Sequence, residues 1–237
     1  IERTVDTVHY CASLSWSRGA TLSQVSPHRF EITPDSTSGR IDLCIRFSKK
    51  ASEAPIATSA TRLIRRIERL SAREWKRYGE SGAAIDLSGS TDPRWMELER
   101  RAVLSQYIMK LNETGTFFPQ ESGLVRNTWY GRSHLEMVWW HAVHFALWGR
   151  PKEFGSYMEC YRDFLPEARA RAAEEGRTGA RWPKCLGESN REWPGDAHAF
   201  LLWQMPHPIY FAEQIWRENP SEATLEQWRE IVLETAA

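Results

Sequence analysis

The hydrophobic periodicity of this chain changes once, from near two to near 3.6, and that change limits the folds open to it. Val8, Tyr10, Ala12 and Leu14 alternate with polar partners, and Phe30, Ile32, Ile41, Leu43 and Ile45 continue the two-residue period. Turn-forming residues at Ser17–Gly19, Pro34–Ser36 and Ser38–Gly39 separate about four short strands with no helix between them. Four short strands are too few for a stable sandwich on their own. Residues 1–50 are therefore expected to be the C-terminal part of an antiparallel β-sandwich domain.

Residues 51–90 are predicted to be a helical linker. Leu63, Ile64, Ile67 and Leu70 form the apolar stripe of a basic helix over Thr61–Leu70, and Ser71 is placed to cap a second short helix carrying Trp75 and Tyr78. A nucleic-acid or membrane helix would share this basic character. Glu68 interrupts the charge, however, and the chain balances 31 basic against 31 acidic residues. A solvated helix face is the expectation, with neither nucleic acid nor membrane as partner.

From residue 91 onward the helical period dominates. Thr91 with Pro93 opens a helix to about Leu111, whose apolar stripe is Met96, Val103, Leu104, Tyr107, Ile108 and Leu111. A long irregular connection over Asn112–Asn127 follows, then an apolar helix over Arg132–Trp148 stopped by Gly149 and Pro151. Prolines at Pro151 and Pro166 predict a helix pair, Pro151–Phe164 and Pro166–Glu175. A second irregular segment covers Gly176–Asp196, and helices are expected over Pro206–Glu218 and Ser221–Thr235. The fold class is mainly α with an N-terminal β segment. Residues 91–237 are expected to form an (α/α) helical-hairpin barrel, incomplete because only about six helices are expected where a ring of six hairpins needs twelve.

No apolar run approaches the roughly 20 residues a membrane span requires, and Ile1–Thr7 lack the basic-then-apolar order of a signal peptide. The chain does not begin with Met, so the compartment stays open. Cys11, Cys44, Cys160 and Cys185 are far apart, without metal-finger spacing. Free thiols are the expectation, with a Cys11–Cys44 disulfide as the alternative. The pattern around His134, His141 and His144 does not make HExxH, and neither metal nor cofactor is expected.

Tryptophan supplies the functional lead. Eight of the twelve fall between residues 121 and 216. Each indole N–H must find a partner when buried, so cores rarely need that many, whereas sugar sites stack pyranose rings on flat aromatic faces. Three segments combine indoles with chemistry. On the helix after Trp129, Glu136 shares one side with Trp139 and Trp140, and His134 shares another with His141. Buried unpaired, Glu136 would be costly, so it reaches a cavity or meets a cation such as Arg132 or Arg150. The loop from Gly179 brings Glu188, Glu192 and Asp196 beside Trp182 and Trp193, and a water-poor setting there would raise a carboxyl pKa as glycoside cleavage requires. In Leu202–Tyr210, His207 lies between two prolines beside Trp203 and Gln204.

The runs IDLSGSTDPRWMELERRAVLSQY, WYGRSHLEMVWWHAVHFALWGRP, GARWPK and WQMPHPIY resemble a group of six-hairpin glycosidase-like proteins, more remotely the inverting maltose, trehalose and kojibiose phosphorylases. The resemblance implies a β-sandwich, a helical linker and an (α/α) barrel acting on a glycoside or oligosaccharide. A Trp-Asp-Thr-Glu element of the phosphorylases falls at Glu136, with His134 and Leu135 where Asp and Thr would stand. A Gly-Ala-x-aromatic-Pro element matches Gly179, Ala180, Trp182 and Pro183, and the general acid that follows it falls at Glu192. On this basis Glu192 is the expected acid, and Glu136 holds a substrate hydroxyl or orients that acid. Trp129, Trp139, Trp140, Trp182 and Trp203 would wall the sugar site, with Arg181, Gln204 and His207 on its hydroxyls and His134 in the first subsite. Two alternatives remain open: a non-catalytic carbohydrate-binding remnant, and a Trp-rich helical protein-interaction module.

Overall fold

The computed structural model describes residues 1–5, 8–35, 39–50, 59–122, 128–187, 191–193, 195 and 197–237. Glu188 and Asp196, residues 51–58 of the expected linker and the end of the 112–127 connection lie outside the described residues. The chain divides into two compact units, Ile1–Glu80 and Ser81–Ala237.

In the first unit, β1 (Glu2–Val5), β2 (Val8–Trp16) and β5 (Leu43–Ser48) form an antiparallel sheet in the order β1-β2-β5, and β3 (Ala20–Ser26) pairs with β4 (Arg29–Pro34) as a hairpin. Alternation puts Leu43, Ile45 and Phe47 on one face, opposite Trp16, Leu14 and Ala12, and all three β5 side chains are exposed. Cys11 is opposite Ser48 and Cys44 opposite Ser15, a stagger of four positions along neighbouring strands. That separation is too long for a disulfide, and both thiols are free. Helix α1 (Ala60–Glu80) runs straight through Ser71, where two helices were expected. A single serine does not stop a helix already carried by the Arg77–Glu74 (2.7 Å) and Lys76–Glu80 (3.7 Å) pairs. Its first turn is tied to the sheet by Thr61, whose hydroxyl donates to Asp42 at 2.6 Å.

The second unit is helical: α2 (Trp95–Glu113), α3 (Leu135–Leu147), α4 (Pro151–Glu174), α5 (His207–Glu218) and α6 (Glu222–Ala236), with a short ribbon of β6 (Ser133–His134) and β7 (Cys185–Leu186). Helix α3 packs on α4 and α5, and α5 on α6. Their shared core includes Leu135, Val138, Phe145, Phe154, Met158, Tyr161, Phe164, Phe211, Trp228 and Ile231.

Two expectations fail here for physical reasons. The predicted pair over 151–175 is one helix, with Pro166 inside it. An interior proline costs about 3 kcal/mol, but Phe154, Met158, Tyr161, Phe164, Leu165, Ala168 and Ala172 bury one continuous stripe on both sides of it. The apolar stripe assigned to α2 is not buried: Met96, Val103, Leu104, Tyr107, Ile108 and Leu111 are all exposed. Helix α2 instead meets the body of the unit through Met109, packed against the core, and through polar groups, among them Lys110, which pairs with buried Glu153 at 2.8 Å. Helix α6 starts as expected, with Ser221 Oγ accepting from the Thr224 amide at 3.2 Å. No helix among the described residues is long and apolar enough to cross a membrane.

Candidate functional site at the start of α3

Residues 129–136 enter α3 through an unusual backbone. Trp129 (φ 48°) and Tyr130 (φ 58°) are both left-handed, and Gly131 (φ 69°) continues the run. Two consecutive non-glycine residues in this region cost about 1–2 kcal/mol each. Such strain concentrates where a side chain must be held in a particular place. Here it presents the Trp129 ring half-exposed to solvent (51%) with its centroid 5.3 Å from that of His134.

β6 then pairs with β7, which brings Lys184, Cys185 and Leu186 against the start of α3. His134 is opposite Cys185, and the Glu136 amide donates to the Lys184 carbonyl at 3.3 Å. Glu136 is one turn before Trp140 on α3 and meets Lys184 Nζ at 3.4 Å, so its cation is neither Arg132 nor Arg150. Arg132 instead lays its guanidinium 3.8 Å over the Trp193 ring, and Arg150 donates to Ser81 and Gln106, each at 3.1 Å. The Lys184 ammonium is 5.0 Å from the centre of the Trp129 ring.

Lys184, Arg132, Glu121 and Glu136 are all near enough for their charges to act on the Cys185 thiol. Burial pushes that thiol up to about 11, which removes it as a nucleophile. Glu121 is raised above the ordinary carboxyl range, first by burial and then by the charge of Glu136, with Lys184 opposing. His134 is almost fully buried (1% exposed), and neither ring nitrogen has a hydrogen-bond partner. Burial, with Lys184 nearby, holds it down at about 4, so the ring is neutral.

Behind this cluster is a second polar group. His141 Nε2 donates to the Glu121 carbonyl at 2.9 Å, which leaves the Nδ1 lone pair facing Glu113 at 3.7 Å. Burial raises Glu113 to about 7 and lowers His141. A protonated Glu113 beside a neutral imidazole is thus the arrangement that matches the tautomer. The Tyr157 hydroxyl donates to the Glu113 carbonyl.

Several expected site residues have other positions. Trp182 is fully buried: its N–H donates to Thr235 Oγ1 at 3.0 Å and its ring stands edge-on to Tyr161 at 5.0 Å, so it belongs to the core and walls no cleft. Gln204 is buried and donates to the Trp182 and Leu201 carbonyls at 3.0 and 2.6 Å. His207, the first residue of α5, is neutral with its pKa lowered to about 4 by burial. It donates from Nδ1 to the Leu135 carbonyl at 3.2 Å. These two polar side chains therefore serve the backbone, not an open subsite.

Glu192 accepts from both terminal nitrogens of Arg181, at 2.8 and 3.3 Å, and Arg171 is 3.6 Å away. An ion pair of this kind uses the carboxyl as an anion, whereas a general acid must arrive carrying a proton. Arg181 is itself buried and also pairs with Glu175 at 2.7 Å, so it is a structural cation. Trp139 is half-buried against Trp140 (5.5 Å) and Tyr210 (5.8 Å), while Trp140 and Trp203 are exposed. The structure thus brings together Trp129, His134 and Glu136 and adds Glu121, Arg132, Lys184 and Trp193. Lys184 directly follows the Trp182–Pro183 element, and Glu121 lies in the long connection whose length was the one signal for it. Among the described residues, no three His, Cys, Asp or Glu side chains gather closely enough to hold a metal ion.

Comparison with protein-family models, with characterised proteins and with solved structures gives no match.

Proposed function

We propose that this chain handles saccharides as part of a carbohydrate-active enzyme of the six-hairpin type, with Glu121 and Glu136 as its working carboxyls. The observation that carries the reading is the different setting of the two carboxyls. Burial and the charge of Glu136 raise the Glu121 carboxyl, while Glu136 is ion-paired with Lys184 at 3.4 Å. One carboxyl with a raised pKa near a second held by a cation is the arrangement that acid and base roles in glycoside cleavage call for. Glu121 is the general acid and Glu136 the carboxylate that activates water or steadies the developing positive charge. Trp129, held out by its strained backbone, is the platform for a sugar ring, and Trp140 extends that platform along α3. Glu192 and Arg181 brace the loop that carries Lys184 and Trp193.

The exposed apolar face of β5 supports a sandwich-like environment for the first unit, and the successive packing of α3 to α6 supports helical hairpins of an (α/α) barrel. The exposed apolar stripe of α2 favours a second reading, a helix that docks a partner protein.

A panel of neutral and charged oligosaccharides and aryl glycosides, assayed for binding and hydrolysis, tests the proposal. Glu121→Gln is expected to slow cleavage of poor leaving groups by about 10²–10⁴-fold and of activated aryl leaving groups much less, the signature of a lost acid. Binding without turnover would leave a lectin-like module, and no binding to any saccharide would remove the reading.

A further inference from the structure

Among the described residues, no carboxylate lies within ion-pair distance of the Arg132 guanidinium stacked on Trp193, and its Nε is buried without an acceptor. Lys184 is answered by Glu136 at 3.4 Å, which leaves Arg132 as the cation of this cluster that meets no carboxylate among the described residues. A half-buried guanidinium without a counter-charge is costly, and its planar fork matches a carboxylate through two parallel hydrogen bonds.

His134 adds an independent sign of a ligand. The neutral ring offers one N–H donor and one acceptor lone pair, both unmet, at 1% exposure. Unpartnered polar atoms that deep are rare unless something else satisfies them. Arg132 and His134 are two residues apart in extended chain at β6, so they project to the same side of the ribbon, each against its own indole.

Resting on the saccharide reading above, we propose that the preferred ligand is an acidic sugar, a pyranose bearing a carboxylate. The carboxylate bridges to Arg132, one hydroxyl meets His134, and the ring lies on Trp129. Arg132 is then the residue that selects acidic over neutral sugars.

Isothermal titration of the whole chain with glucuronate- and galacturonate-containing disaccharides, their neutral glucose and galactose counterparts, and inorganic phosphate tests this. The acidic disaccharides are expected to bind at least about tenfold tighter than the neutral ones. Arg132→Gln should erase that ratio, and Arg132→Lys, which keeps the charge but loses the fork, should restore only part of it. Circular dichroism melts of both variants confirm that the fold survives. Equal affinity for acidic and neutral sugars would overturn the inference and leave the saccharide reading standing. Phosphate competing as well as the acidic sugar would overturn it in favour of a simple anion site, and no sugar binding of either kind would remove both.

Discussion

Replacing Trp182 by alanine separates core indoles from site indoles. Trp182 has no solvent exposure, and its N–H is bonded to Thr235. Truncating a fully buried Trp costs about 3–5 kcal/mol through lost burial and the cavity left behind, and the Thr235 hydroxyl also loses its partner. At about 2–4 °C per kcal/mol for a domain of this size, the melting of the helical unit should fall by about 6–20 °C. Trp129→Ala is the matched control. That ring is 51% exposed, so its loss should cost only about 1–3 kcal/mol from the half that is buried, while saccharide binding should drop by the stacking contribution. Differential scanning calorimetry with saccharide titration on both variants gives the comparison. Trp182→Ala melting within about 2 °C of the parent would refute the assignment of Trp182 to the core.

Three further outcomes are expected. Glu136→Gln leaves the nearly buried Lys184 ammonium without its partner and should destabilise by about 3–5 kcal/mol; Glu136→Gln with Lys184→Met should recover most of that in a denaturant-melt double-mutant cycle, and an unrecovered double variant would contradict the pairing. Gly179→Ala puts a side chain at φ 79° with its Cβ 2.5 Å from the Glu234 carbonyl oxygen, so hydrogen exchange near Ala180 and at the end of α6 should accelerate. Stability should also vary with pH in opposite senses on two sides. His134 and His207 titrate near 4 in the fold against an ordinary 6.5, so the unfolded chain binds more protons in that window and stability is lost as pH falls through it. Glu113 titrates near 7 against an ordinary 4.5, so the folded chain holds the extra proton and stability is lost as pH rises through that window. Together these groups place the maximum near the histidine upper limit of 6.5, and Glu113→Gln should remove the decline above it; an unchanged profile would contradict the burial of that carboxyl.

Local order was largely present in the sequence. The two-residue alternation of β2 and β5, the Ser221 cap and the stop of α3 at Gly149 are decided by neighbours in the chain, and all three hold in the structure. What depended on distant partners did not show. The stripe on α2 marked a helical face correctly, but periodicity carries no information on whether that face meets another element. Pro166 argued for a break because the compensating burial of Phe164, Leu165 and Ala168 belongs to the tertiary fold. Trp182 looked like Trp129 because both are indoles beside polar loops, and only packing tells them apart. At the site, Glu136, His134 and Trp129 stood out by residue type and spacing. Glu121 and Lys184 did not, since their meeting with Glu136 requires the β6–β7 ribbon to close across about fifty residues of intervening chain. Glu192 was favoured by its distance from Pro183, and sequence spacing could not reveal that Arg181 would turn back onto it.

The most direct measurement follows the indole N–H resonances by two-dimensional NMR while an oligosaccharide is added. If the ribbon at β6 and β7 binds sugar, the Trp129 and Trp193 signals shift together and saturably, and the Trp182 signal stays fixed. Saccharide that leaves Trp129 and Trp193 unmoved at saturating concentration, or that shifts only Trp203 or Trp216, would contradict a sugar site at the start of α3.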